Sequence, residues 1–107
     1  MLTSNLETMP GFIIERHLGL VQGSSVRAKH FGRDMMAGLK NLVGGELKGY
    51  TELLQETRDE AVERMKAEAQ GIGANAVLNI RLSTASITAG AAEVFAYGTA
   101  VILKPIG

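Results

Sequence analysis

The stretch Ala91-Ala92-Glu93-Val94-Phe95-Ala96-Tyr97-Gly98-Thr99-Ala100-Val101-Ile102-Leu103-Lys104, stopped by Pro105, decides the fold. Successive residues of an extended chain point to opposite sides. That alternation puts Val94, Ala96, Ala100 and Ile102 on one face and Phe95, Tyr97, Val101 and Leu103 on the other. Both faces are largely apolar, so this strand is expected to need cover from two sides.

Working outward, Asn75 to Ser83 alternates, with Ala76, Leu78, Ile80 and Leu82 on one face and Asn79 and Arg81 on the other. That pattern predicts a strand covered mainly on one side. Ser83 to Gly90 is small and polar, a hairpin loop or a weak extension of a neighbouring strand. Phe12 to Gln22, between Gly11 and Gly23, is mostly Ile, Leu, Val and Phe. It reads as a strand of mixed faces, with Ile14, Leu18 and Leu20 beside Arg16, and Ile13 and Val21 beside Glu15 and His17.

Between these strands the period changes. After a candidate N-cap at Ser24 and Ser25, Ala28, Phe31, Met35, Leu39 and Leu42 recur every three or four residues, which predicts a half-buried helix ended by Gly44 and Gly45. A second helix is predicted from about Tyr50 to Gln70. Its stripe is Tyr50, Leu54, Ala61, Met65 and Ala69, with Leu53 and Val62 alongside, and Gly71 and Gly73 close it. Two helices in succession between strands favour a segregated α+β fold. Helices on one sheet face leave the other face as an apolar patch, and such patches mark contacts. The expectation is a homo-oligomer.

Length and composition narrow the function. The chain has 107 residues, which fits one domain spanning residues 1–107. Lys plus Arg and Asp plus Glu each number 11, so there is no net charge to attract nucleic acid or anionic lipid. Aromatic residues make up 5% and Trp is absent, which leaves few rings for stacking bases or sugars. The first residues lack the basic and apolar regions of a signal peptide, and no run approaches the ~18 apolar residues of a membrane span. A soluble cytoplasmic protein without nucleic-acid or membrane partners is expected.

The order of short motifs resembles a known family. Gly19-x-Val21-x-Gly23 is followed by Gly44-Gly45-Glu46, then Tyr50-Thr51-x-Leu53 leading to Arg58-x-x-Ala61, then Gly73-Ala74-Asn75-Ala76-Val77, and finally Ala96-Tyr97-Gly98-Thr99-Ala100-Val101. Together these span nearly the whole chain and are similar to the YbjQ-like family of small bacterial proteins. The resemblance implies a ββααββ-type subunit with both helices on one face of a largely antiparallel sheet. It also implies assembly into a ring, with a pentamer as the expected size, and a function that is uncharacterised. The family carries the label "putative heavy-metal-binding".

The residues themselves give that label little support. There is no cysteine, and the two histidines, His17 and His30, form no metal-ligand spacing. Both read as surface histidines, and Met35 and Met65 as helix core. No metal site or cofactor is therefore assigned within one subunit, although a ring brings several copies of one ligand together. Gly71-Ile72-Gly73 follows a helix, whereas a phosphate loop precedes one. No Gly-x-Ser-x-Gly elbow exists, and no catalytic residue is assigned. Glu56 with Glu60 and Asp59 with Glu63 read as a solvated outer helix face.

Charges on apolar surfaces carry more information. A helical wheel puts Arg58 inside the arc of Leu54, Ala61, Val62 and Met65, with Glu68 on the same side. Glu46 and Glu93 are the carboxylates that match or adjoin the family motifs. A structural ion pair, formed within or across subunits, would fix packing register; an Arg58 that grips a ligand carboxylate or phosphate is the alternative. The leading expectation is a non-enzymatic ring that binds a small molecule or metal ion between subunits. Its ligand or interface candidates are Arg58, Glu46, Glu93, Tyr50 and Tyr97. A purely structural or interaction module, and an enzyme whose site forms between subunits, are the competing readings.

Overall fold

The computed structural model describes residues 1–28, 45–88 and 91–107. The elements are β1 (Leu2–Thr3), β2 (Phe12–Ala28), α1 (Gly45–Gly71), β3 (Ala76–Thr88) and β4 (Ala91–Pro105). They form an α+β fold on one mixed sheet, ordered β1-β3-β4-β2. β4 pairs antiparallel with β2 and β3, while β1 runs parallel to β3. The doubly apolar stretch thus lies inside the sheet, flanked on both edges.

β2 is longer than its apolar run indicates. Ser24 and Ser25, expected as a helix cap, pair with Phe95 and Val94 of β4, and the ladder continues to Ala28 opposite Ala91. The remainder of the first predicted helix falls on residues 29–44, outside the described residues. Gly45, expected to end that helix, instead belongs to α1. The small, polar residues after Ser83 extend β3 to Thr88.

Across the sheet, directly opposed residues share a face. One face carries Val21, Gly23 and Ser25 of β2 with Gly98, Ala96 and Val94 of β4, and α1 packs upon it. The buried stripe of α1 is Leu53, Thr57, Ala61, Met65 and Ala69. Met65, Ala61 and Ala69 meet Val21, Val77, Val94, Ala96 and Ala100 in one core. The small residues at the contact let helix and sheet approach closely. A methyl group on Gly23 would overlap the Ala61 carbonyl oxygen and the Met65 amide nitrogen.

Two devices fix the end of α1 and the start of β3. Gly73, at φ 89°, takes the left-handed conformation after the helix. Its amide donates to the Gln70 carbonyl and that of Ala74 to Ala69, the hydrogen-bond pair of a Schellman motif. Asn75 then bonds β4 as a strand would. Its Nδ2 donates to the Leu103 carbonyl at 2.9 Å, and its Oδ1 accepts from the Leu103 amide at 2.7 Å.

The described residues cover the opposite face over part of its length only. Near the chain termini Met9, Phe12 and Ile14 pack over Ala76, Leu78, Val101 and Leu103. The N-terminal segment is held there because Leu6 and Ser4 accept the amides of Asn79 and Ile80. Farther along, the cross-strand rows Gln22–Tyr97–Arg81, Ser24–Phe95–Ser83 and Val26–Glu93–Ala85 share this face. None of the described elements covers these rows.

Candidate functional site

The first charged cluster joins α1 to β2. Ser25, buried at the contact, donates its hydroxyl to Glu60 Oε1 at 2.9 Å. Arg27 bridges two carboxylates one turn apart on the helix, with Nη1 3.2 Å from Glu56 Oε2 and Nη2 on Glu60 Oε2. Arg64 completes the cluster, its Nη2 2.6 Å from Glu60 Oε1 and its Nη1 donating to the Ser24 carbonyl at 2.6 Å. Hydrogen bonds from Arg27 and Ser25 hold the Glu60 carboxyl below its ordinary value, and the bonded Glu60 carboxylate raises Arg27. Glu56 and Glu60 therefore clamp helix to strand, in place of the solvated role expected of them. Every strong donor here meets an acceptor, so the cluster is structural.

The helix-facing side also has a cavity of about 310 Å³. Thr51, Gln55, Arg58 and Thr84 supply its polar lining, and Leu54, Leu82 and Val94 its apolar lining. Arg58 is not enclosed by the apolar arc as expected: its side chain is 49% exposed and its Nε lies 3.6 Å from Asp59 Oδ1. The buried stripe runs instead through Thr57, whose hydroxyl satisfies itself on the Leu53 carbonyl at 2.6 Å. Glu68 is likewise exposed. Glu93 cannot meet Arg58 within one chain, because it shares the opposite sheet face with Val26 and Ala85 while Val94 lines the Arg58 cavity. Glu46 falls in the first turn of α1, its side chain outside the described residues. Tyr50, on the same helix, is partly buried.

Tyr97 lies on the partly uncovered face, its ring centroid 5.9 Å from that of Phe95. Leu20 is 69% exposed, Val26 54% and Tyr97 37%. Arg81 sits beside Tyr97 in the same row and directs Nη1 to the carbonyls of Asn5 and Ile80, each at 2.9 Å. Of the five site candidates, the structure brings Glu93 and Tyr97 to this face and puts Arg58 and Tyr50 on α1.

A second cavity, of about 280 Å³, opens where this face meets the N-terminal segment. Glu7, His17, Asn79 and Thr99 stand over Ile14, Leu78 and Val101. Three backbone irregularities surround it. β2 shifts register between Ile14 and Arg16 and again between His17 and Gly19. β3 shifts between Leu78 and Arg81, where Asn79 adopts φ 59°. Bulges re-aim side chains and occur often beside functional sites. Sequence reading placed His17 on a strand face beside Glu15; the bulges break that alternation and turn His17 toward Thr99 and Val101. Glu7, Asn79 and Thr99 carry no pattern that separates them from ordinary loop and strand residues; Gly19, inside an apolar strand run, is the one signal of a ladder disturbance.

These features define a small α+β domain in which the described helix covers one face of a long mixed sheet and the described residues cover the other face only in part. Residues 1–104 match the YbjQ family model, described as "Putative heavy-metal-binding", and the chain belongs to that family. Its relatives are bacterial UPF0145 proteins. It is 64% identical to one from Hahella chejuensis over 97% of this chain and all of that one. It is 61% identical to one from Acinetobacter baylyi, covering 91% of this chain and 90% of that one. It is 55% identical to one from Thermus thermophilus, covering 98% and 92%. Among solved structures, a DUF74-family protein of unknown function from Pediococcus pentosaceus shares the fold at TM-score 0.61 and 16% identity, over 97% of this chain and 98% of that chain.

The family description can be tested against donor chemistry. Heavy metals favour thiolate and imidazole, gathered three or four to a site. The chain has no cysteine, and among the described residues no three His, Cys, Asp or Glu side chains converge. Glu7 and His17 line one cavity but supply two donors. Within one subunit the described residues do not fit a heavy-metal centre.

Proposed function

We propose that the chain works as a non-enzymatic homo-oligomeric ring, a pentamer by family resemblance, whose subunits meet through the partly covered sheet face. The observation that carries this reading is the exposure of Leu20, Val26 and Tyr97 beside Phe95 on the part of the β2–β4 ladder that pairs without interruption. An apolar strand surface of this kind is costly in water and invites a partner. A second copy is the natural occupant, and in a ring this face meets a different surface of the next copy, the head-to-tail contact that closes by rotation.

Shape supports the same reading. The Cα radius of gyration is 17.3 Å and the long axis is 59 Å, against about 13 Å for the radius of a compact domain of this length. A slab this thin buries less of its own surface than a globule does, and assembly supplies the missing cover. Glu93 and Tyr97 are then interface residues. A small molecule, or a metal ion held by ligands from several copies, is bound between subunits. Arg58 is the ligand-contacting candidate of the helix-side cavity, with Tyr50 and Glu46 on the same helix. A cytoplasmic setting suits the cysteine-free chain, and none of the described helices is long and apolar enough to cross a membrane.

The test is a double variant, Leu20→Asp with Val26→Asp, compared with the parent by light scattering after size exclusion. Both side chains are exposed in the subunit, so the variant keeps its circular dichroism and loses assembly mass. An unchanged mass would place the contact elsewhere.

A further inference from the structure

We infer that the cavity between Glu7 and His17 binds a small organic cation, an alkylammonium group with a short apolar tail. Its walls belong to one chain, and it lies at the margin of the proposed contact face, where Thr99 stands opposite Leu20. Its lining combines polar and apolar residues. Leu78 and Val101 are fully buried and form a closed floor with Ile14. The other lining residues are Glu7, Asn79, Thr99 and His17, whose carboxylate, amide, hydroxyl and imidazole are acceptors for an N–H donor.

Charge sets the class. Glu7 is an anion and none of the lining residues is Lys or Arg, so a phosphate or carboxylate would meet repulsion without compensation. Arg81, two residues beyond Asn79, has its Nη1 committed to the carbonyls of Asn5 and Ile80. An ammonium group instead gains a charge-assisted hydrogen bond from Glu7 and neutral ones from its neighbours. The volume of about 280 Å³ lies at the lower end for ligand pockets and suits a molecule of few heavy atoms.

The backbone shows that the site is built. Bulges on both sides of His17 and at Asn79 interrupt the two strands that flank β4, at nearby levels. Gly19, at φ 117°, and Asn79, at φ 59°, take up the left-handed conformations this requires. The amides of Asn79 and Ile80, turned out of the β3–β4 ladder, are received by Leu6 and Ser4. The same irregularity therefore positions Glu7, the residue after Leu6. Such departures from a regular ladder cluster at functional sites.

Saturation-transfer difference NMR at pH 8 with butylammonium, butanol and butyrate tests this, because the three probes have four carbons each and differ in charge. Butylammonium is expected to give saturable transfer, butanol weak transfer and butyrate none. Glu7→Gln, at an exposed position, weakens butylammonium roughly tenfold, and Thr99→Leu, which fills the cavity, abolishes the signal. Assembly mass read on the same samples keeps this result separate from that of the ring. Butyrate binding as well as butylammonium, or Glu7→Gln leaving its affinity unchanged, would overturn the assignment.

Discussion

Gly23 of β2 lies directly beneath Ala61 of α1, so close that a Cβ there would overlap the Ala61 carbonyl oxygen. The helix thus rests on strand backbone, and the Arg27–Glu60 clamp holds it on one side of that contact.

Gly23→Ala is expected to destabilise the subunit by about 1–3 kcal/mol, the range for overpacking a tight contact. The added methyl meets backbone atoms, including the Arg64 carbonyl carbon at 2.9 Å, and these yield only if the helix moves. Urea unfolding reads the loss; an unchanged midpoint would mean that helix and strand are farther apart.

Glu60 links stability to acidity. Its carboxyl is held below the ordinary value of 4.5 by Arg27 and Ser25. A carboxyl lowered in the folded state contributes stability that is present above its unfolded value and lost as pH falls through the folded one. Glu60→Gln is therefore expected to be less stable than the parent at neutral pH, with the gap closing as pH drops below about 4.5. Thermal unfolding at several pH values checks this, and a gap constant with pH would remove Glu60 from the account.

Asn75→Ala is expected to cost about 1–3 kcal/mol, since it leaves the Leu103 amide and carbonyl without their side-chain partner. Asn75→Asp restores the acceptor and not the donor. It is expected to fare no better than Ala, because the carboxylate faces the Leu103 carbonyl, 2.9 Å from the present donor. Recovery by Asp would show that only the Leu103 amide matters.

Arg58→Ala is expected to change subunit stability by no more than about 0.5 kcal/mol, as for exposed positions with no buried partner. This separates the structural and binding readings of Arg58. A large loss of stability would return it to a packing role, and a loss of assembly mass at unchanged subunit stability would place it in a contact between copies.

Much of this architecture is legible in the residues. The two-faced character of Ala91–Lys104, the second helix and the strand from Ala76 follow from apolar period. What escaped has specific causes. Ser24, Ser25 and Arg27 belong to β2 because pairing with β4 outweighs the local preference of serine for caps, and Arg27 could not be paired with Glu56 and Glu60 once it was assigned to a helix. Thr57 enters the core in place of Arg58, because a wheel does not fix which side of the apolar arc the sheet receives, and Thr57 satisfies its hydroxyl on its own helix. The His17 cavity depends on bulges, which shift alternation by one residue and leave no periodic trace.

The apolar sheet face of Leu20, Val26, Phe95 and Tyr97 is the centre of the account, and native mass spectrometry of the intact protein at micromolar concentration tests it most directly. One closed assembly is predicted, with a mass that is a whole multiple of the 11.4 kDa subunit. A spectrum of monomer alone would contradict it.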